Sequence, residues 1–257
     1  PVILGFPHTG TEVPPDIWAD LNEEGRKLRD TDWHIHRLYA GLLPEVTTVR
    51  ATFHRYCIDA NRDPSGASLY PGQNTTGLVP LTDFDNQPLW SKVPDGKEIE
   101  RRKALFHAPY HAALSAEIER VKSIHGIAVL YDCHSIRSEC PFLFDGILPD
   151  FNIGTDNCRT CAPEFERAVA SICRSADGYT SILNGRFRGG WTTRHYGRPE
   201  TGVHAVQMEL AQSTHLESEA LPFAYDEAKA DRLRVHLGAV LKRLEEIALS
   251  MKSGARS

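Results

Sequence analysis

Apolar runs of four to six residues alternate along this chain with longer stretches in which apolar positions recur every three or four residues. Val2-Ile3-Leu4-Gly5-Phe6, Ile127-Ala128-Val129-Leu130-Tyr131 and Val203-His204-Ala205-Val206-Gln207-Met208 read as buried strands. Thr47 to Ile58 is rich in β-branched residues and predicts a strand or strand pair. Helical spacing follows Asp30-Thr31-Asp32, with Trp33, Ile35, Leu38, Tyr39 and Leu42 on apolar positions. It returns in Ile99 to Ile124, where Leu114, Ile118 and Val121 keep the period and Gly126 suits a C-terminal cap. Glu164 to Arg174 predicts another helix. Asp226 to Met251 predicts a long amphipathic one, with Leu233, Leu237, Leu241, Leu244 and Ala248 along one face and Ile247 beside it.

Strand, helix and strand in succession argue for parallel pairing. The expected fold is α/β, one domain over residues 1–252, with a mixed, mostly parallel sheet flanked by helices and a flexible tail at 253–257. Asp63 to Pro94 is long, polar and rich in Gly, Pro and Asn, and a loop of that length is expected to serve function. Asn184 to Gly202, with five glycines among arginines and aromatics, reads as a loop that approaches a ligand.

The chain has 257 residues, 41% hydrophobic and 25% charged, which suits a soluble globular protein. Its net charge of −5 gives nucleic-acid binding no electrostatic support. No apolar run approaches the roughly 20 residues that span a bilayer, and no leader pattern is visible. Six scattered cysteines in a chain of this length are no disulfide scaffold, so a reducing cytoplasm is expected. Cys158-Arg159-Thr160-Cys161 is a lone CxxC without the second pair that a structural zinc requires, and it reads as incidental.

Candidate chemistry collects where strands end. His8 follows the first strand, His134 the second, and Glu209 closes the third. In a parallel sheet these ends share one rim, where ligands bind. Two histidines and a carboxylate there are the minimum for a metal site with its base. Asp132 suits a partner that fixes the His134 tautomer, and equally a ligand or a strand-end cap. A third ligand is sought among Glu12, Asp30 and Asp32, although Asp30 and Asp32 also suit helix capping. Arg55, Asn61 and Arg62 surround one strand end, and Arg137, Arg186, Arg188 and Arg194 cluster later. Guanidinium forks bind carboxylates, so an anionic small ligand is expected, with ion pairs to Asp59 or Asp63 as the structural alternative. Glu209, deep in an apolar run, suits a base of raised pKa or a buried ion pair.

Ordered along the chain, these residues resemble the N-formylglutamate amidohydrolases, deformylases of bacterial histidine breakdown. The resemblance is carried by Pro7-His8-Thr9-Gly10, Asp30-Thr31-Asp32-Trp33-His34-Ile35, Arg55-Tyr56 with Ile58-Asp59-Ala60-Asn61-Arg62, and Thr75-Thr76-Gly77-Leu78. It continues in Pro109-Tyr110-His111, Asp132-Cys133-His134-Ser135-Ile136-Arg137-Ser138, Leu143-Phe144-Asp145-Gly146 and Leu183-Asn184-Gly185-Arg186-Phe187. Gly189-Gly190, Thr193-Arg194-His195-Tyr196-Gly197 and His204 to Leu210 complete it. That family is distantly similar to zinc carboxypeptidases and aspartoacylases, which implies their phosphorylase/hydrolase-like fold and one Zn2+ ion. The resemblance makes His8 and His134 metal ligands, Arg55 the group that polarises the scissile carbonyl, Asn61 and Arg62 a carboxylate clamp, and Glu209 the general base. It implies a small dicarboxylate substrate, N-formyl-L-glutamate. The distant relatives carry a glutamate ligand three residues after the first histidine. Thr11 stands there in this chain, which moves the third ligand to Asp32. A related amidohydrolase for another N-acyl acidic amino acid, a metal-free carboxylate-binding protein and a Cys133 nucleophile are the alternatives.

Overall fold

The computed structural model describes residues 1–68 and 72–254. Three strands form where continuous apolar runs were read: β1 (Val2–Phe6), β3 (Ala128–Ile136) and β6 (Val203–Ala211), with β2 (Thr47–Arg50) beside β1. They lie parallel in the order β2-β1-β3-β6. Two short strands extend the sheet beyond β6. β4 (Phe151–Gly154) pairs antiparallel to it, and β5 (Ser181–Leu183) runs parallel to β4. The sheet is thus six-stranded and mostly parallel.

Both faces of the central strands are covered, as a parallel sheet requires. One face carries Val2, Leu4, Phe6, Val129, Tyr131, Val206 and Met208 and packs under α2 (Ile35–Tyr39), α5 (Pro163–Arg174) and α7 (Glu227–Gly254). The apolar stripe of α7 is buried along its length, and the Asp226 carboxylate caps its start by accepting the Lys229 N–H at 2.9 Å. The other face carries Ile3, Leu130 and Ala205 and packs under α4 (Ala108–His125).

Several expected boundaries shift. β3 and β6 run on to Ile136 and Ala211, so His134 and Glu209 lie within strands rather than just past them. The strand expected over 47–58 stops at Arg50, and residues 54–61 coil into turns. The helix expected over 99–124 is broken. α3 (Gly96–Arg102) ends in a π turn over Lys103–His107, and α4 then restarts. Pro109 is the cause: it has no N–H for the Leu105 carbonyl and its ring crowds that carbonyl, so the turn widens. Gly126 does cap α4, at φ 74° with its N–H on Lys122 O at 2.7 Å. The glycine-rich stretch 184–202 contains a short helix, α6 (Trp191–Tyr196), besides loop. The described residues of 63–94 form no helix or strand. The last helix continues to Gly254, so 253–254 are helical; the rest of the expected tail, 255–257, lies outside the described residues. Among the described residues, no helix is long and apolar enough to cross a membrane.

Candidate active site

Period two governs the rim. Asp132 pairs in register with Gln207, and His134 with Glu209, across β3 and β6. Residues two apart share a sheet face, so all four point to the face that carries Leu130 and Ala205. The intervening Cys133 and Met208 point into the opposite core. That disposes of the Cys133 nucleophile: its thiol is fully buried, lies against Tyr131 O, and is pushed well above the ordinary range by burial and then by Asp132 and Asp32.

His8 enters from just beyond β1. Its ring and that of His134 lie 5.0 Å apart, and Asp32 stands between them. Asp32 Oδ2 is 3.1 Å from His134 Nδ1 and 3.8 Å from His8 Nδ1. One donor atom from each of the three residues falls within 4.8 Å of the others. The far nitrogens are backed by carboxylates: His8 Nε2 contacts Asp59 Oδ1 at 2.7 Å, and His134 Nε2 is 3.2 Å from Asp132 Oδ2. Thr193 donates its hydroxyl to that same Asp132 oxygen at 3.0 Å. Aspartate behind imidazole, with the near nitrogens converging, is how metal-binding histidines are held. His8 Nδ1 is buried and makes no hydrogen bond, which a cation would remedy. Separations of 3.1 and 3.8 Å bracket the roughly 3.3 Å between ligand atoms of a tetrahedral zinc. The donor set of two imidazoles and a carboxylate therefore fits Zn2+.

Neither of the other ligand candidates reaches this cluster. Glu12 is exposed and accepts from the Thr52 hydroxyl. Asp30 is buried away from the pair, accepting from the Phe84 N–H, and burial raises its pKa to about 7. The capping reading of Asp30-Thr31-Asp32 does not hold either: α2 starts at Ile35 and no side chain caps it.

The carboxylates and guanidiniums set the local field. Burial would raise Asp59, but Arg55, Arg62 and His8 hold it well below the usual carboxylate range. Burial and Arg55 lower His8. Burial would lower His134 too, but Asp132 and Asp32 overcome it and hold its pKa well above the ordinary imidazole value. Burial pushes Glu209 up to about 8, against the pull of His134.

A cavity of about 80 Å³ opens over this cluster. His8, His134 and Glu209 form its floor, and Arg55, Asn61, Arg62, Asn74, Thr76, Arg186 and Gln207 its walls. Arg55 is buried with Nη2 on Asp59 at 2.6 Å, and its Nε makes no hydrogen bond. Arg62 reaches Thr76 O and Oγ1 at 2.9 and 3.0 Å. Asn61 Oδ1 accepts from the Thr192 N–H at 2.8 Å, while its Nδ2 lies 3.1 Å from His134 Nε2. Arg186 donates to Leu143 O and Asn74 O.

The other three arginines of the expected cluster do not line the cavity. Arg137 pairs with Asp85 at 2.8 Å, Arg188 is exposed, and Arg194 pairs with Asp156 at 3.2 Å. Sequence reasoning also passed over Asp59 as the support of His8, and Gln207 altogether. The repeated polar-apolar-polar triplets Asp132-Cys133-His134 and Gln207-Met208-Glu209 were the available signal for Gln207.

A buried carboxylate beside two braced imidazoles, walled by arginines, suits the splitting of an amide in an anionic molecule. That is the equipment of an α/β amidohydrolase. Sequence comparison narrows the class: residues 1–216 match the N-formylglutamate amidohydrolase family, to which the chain belongs. It is 45% identical over 248 residues to the N-formylglutamate deformylase of Pseudomonas aeruginosa, covering 95% of this chain and 92% of that one. It is 44% identical to the enzyme of that name from Pseudomonas putida, with the same coverage. Among solved structures, an N-formylglutamate amidohydrolase from Ralstonia eutropha JMP134 superposes with a TM-score of 0.76 at 25% identity, covering all of this chain and 94% of that one. An Agrobacterium tumefaciens gene product shares the fold, with a TM-score of 0.71 at 19% identity over 96% of this chain and 91% of that one.

Proposed function

We propose that this chain hydrolyses N-formyl-L-glutamate to formate and L-glutamate, as a step of histidine breakdown in the cytoplasm. The family and the names of its 45% and 44% identical relatives support the reaction. The observation that carries the mechanism is the register pair His134–Glu209 on the floor of the cavity, with His8 and Asp32 alongside.

His8, Asp32 and His134 would hold one zinc ion, whose Lewis acidity lowers the pKa of water and polarises a carbonyl. Glu209 takes the proton from the water that attacks the formyl carbon, and returns it to the departing amine of glutamate. A carboxylate whose pKa is raised by burial suits both transfers. The Arg55 guanidinium, which lines the cavity, donates to the oxyanion that develops on the formyl oxygen, a contact often worth about 3 kcal/mol. Asn61, Arg62 and Arg186 orient the two substrate carboxylates. Asp59 and Asp132 keep the imidazoles turned inward.

Formate release from N-formyl-L-glutamate tests the assignment. Glu209→Gln should lower kcat by at least about a hundredfold, the usual contribution of a positioned base. Near-full turnover by that variant would sink the mechanism. N-acetyl- and N-carbamoyl-glutamate at equal concentration should be cleaved more slowly than the formyl substrate.

A further inference from the structure

Gln207 has no role in the scheme above, yet it stands between two of its parts. It lies two residues before Glu209 on the same face of β6, is 3% exposed, and lines the cavity. Its side-chain amide has two partners. The Gly190 N–H donates to Oε1 at 2.6 Å, and Nε2 donates to Glu209 Oε2 at 3.1 Å.

Only one orientation of the amide satisfies both. Turned over, it would set two donors against each other at Gly190 and two acceptors against each other at Glu209. The backbone at Gly190 is itself fixed. A Cβ there would sit 2.4 Å from Asn61 Nδ2, so only glycine fits, and two residues on the Thr192 N–H binds Asn61 Oδ1 at 2.8 Å. The anchor of Gln207 is therefore a rigid main-chain group at the start of α6, and its free end meets the carboxylate.

We infer that Gln207 is a positioning residue: it ties Glu209 Oε2 to the backbone at Gly190 and leaves Oε1 to exchange the proton. A glutamate side chain has three rotatable bonds, and register fixes only where it begins. The amide supplies the constraint at the other end. This rests on the reading of Glu209 as the base.

Two substitutions separate the donor from the anchor. Gln207→Glu keeps an oxygen for the Gly190 N–H but sets a second carboxyl against Glu209, so that a shared proton replaces the amide donor and the pH profile of kcat shifts. Gln207→Met keeps the length and loses both bonds. We expect each to lower kcat about ten- to a hundredfold, with KM for N-formyl-L-glutamate within about threefold of the parent, because what is lost is orientation rather than binding. Each is assayed well below its own melting temperature, beside Glu209→Gln. If Glu209→Gln is inactive while Gln207→Met retains kcat, the inference is overturned and the base assignment stands. A rise in KM with kcat intact also overturns it, and makes Gln207 a substrate contact. If Glu209→Gln itself retains turnover, the base assignment fails and takes the inference with it.

Discussion

His8 and His134 arrive at the same cavity by different routes. His134 sits inside β3, backed by Asp132 from the same strand and faced by Glu209 from the next. His8 stands past the end of β1, backed by Asp59 from an irregular segment fifty-one residues away. The first arrangement is set by sheet geometry, which allows no sliding without moving every side chain to the wrong face. The second depends on a coil held by its own bonds: Asp59 carries Arg55 at 2.6 Å, Arg62 at 3.8 Å and the Asn61 N–H at 2.8 Å, as well as His8. Strands thus hold His134 and Glu209, and coils hold the arginine side.

The two aspartates put this contrast to the test most sharply. Loss of such a support behind a metal-binding histidine typically costs ten- to a hundredfold in metal affinity. Asp59→Asn should fall near the upper end, about a hundredfold, because it also releases Arg55 and Arg62. Asp132→Asn should fall near the lower end, about tenfold, since β3 keeps His134 in place. Zinc titration against a competing chelator measures both, and the reverse order would break the comparison.

Acid should loosen the coil side. Neutral imidazoles brace it: His215 Nε2 is 3.1 Å from Trp33 O, and His111 Nε2 is 2.7 Å from Ala60 O. Burial depresses both from 6.5 to about 4. Between those values the unfolded chain binds protons that the folded chain refuses at these two rings, so the stability they contribute falls as pH drops through 6.5 towards 4, while Asp30 and Glu209, raised to about 7 and about 8, work the other way. His215 alone should cost about 2 kcal/mol by pH 5. The gap in melting temperature between this chain and His215→Gln, followed against pH, isolates that ring: it should narrow or reverse from pH 6.5 to 5, and a constant gap would contradict the assignment.

The mildest effect is expected at the outer wall. Arg186→Ala should raise KM about tenfold, the worth of one charged hydrogen bond, with kcat little changed. A fall in kcat instead would place Arg186 with the reacting groups rather than with substrate binding.

The same contrast explains what the sequence discloses. Strand periodicity put His134 and Glu209 on one rim, and the apolar spacing of α7 was legible residue by residue. Asp32 emerged only because Thr11 occupies the position where relatives of the family carry a ligand; nothing local to Asp30-Thr31-Asp32 separates a cap from a ligand. The arginines divide for the same reason. Which of Arg137, Arg186, Arg188 and Arg194 meets the cavity depends on the path of loops whose bonds, such as Arg137 to Asp85, join residues more than fifty positions apart. The break at Pro109 was locally encoded, but the periodicity on either side of it masks the extra residue in the π turn.

The setting of β6 has a consequence for how such a protein changes over time. It is an interior strand, gripped by β3 on one side and by β4 on the other, and Asn152 of β4 also holds the Glu209 carbonyl at 3.1 Å. The crossover segments that wall the cavity, the Gly190 anchor apart, can therefore lengthen, shorten or exchange residues while the backbone register of Glu209 against His134 stays constant. Divergence toward new acyl groups would accumulate in those segments and leave the strands unaltered.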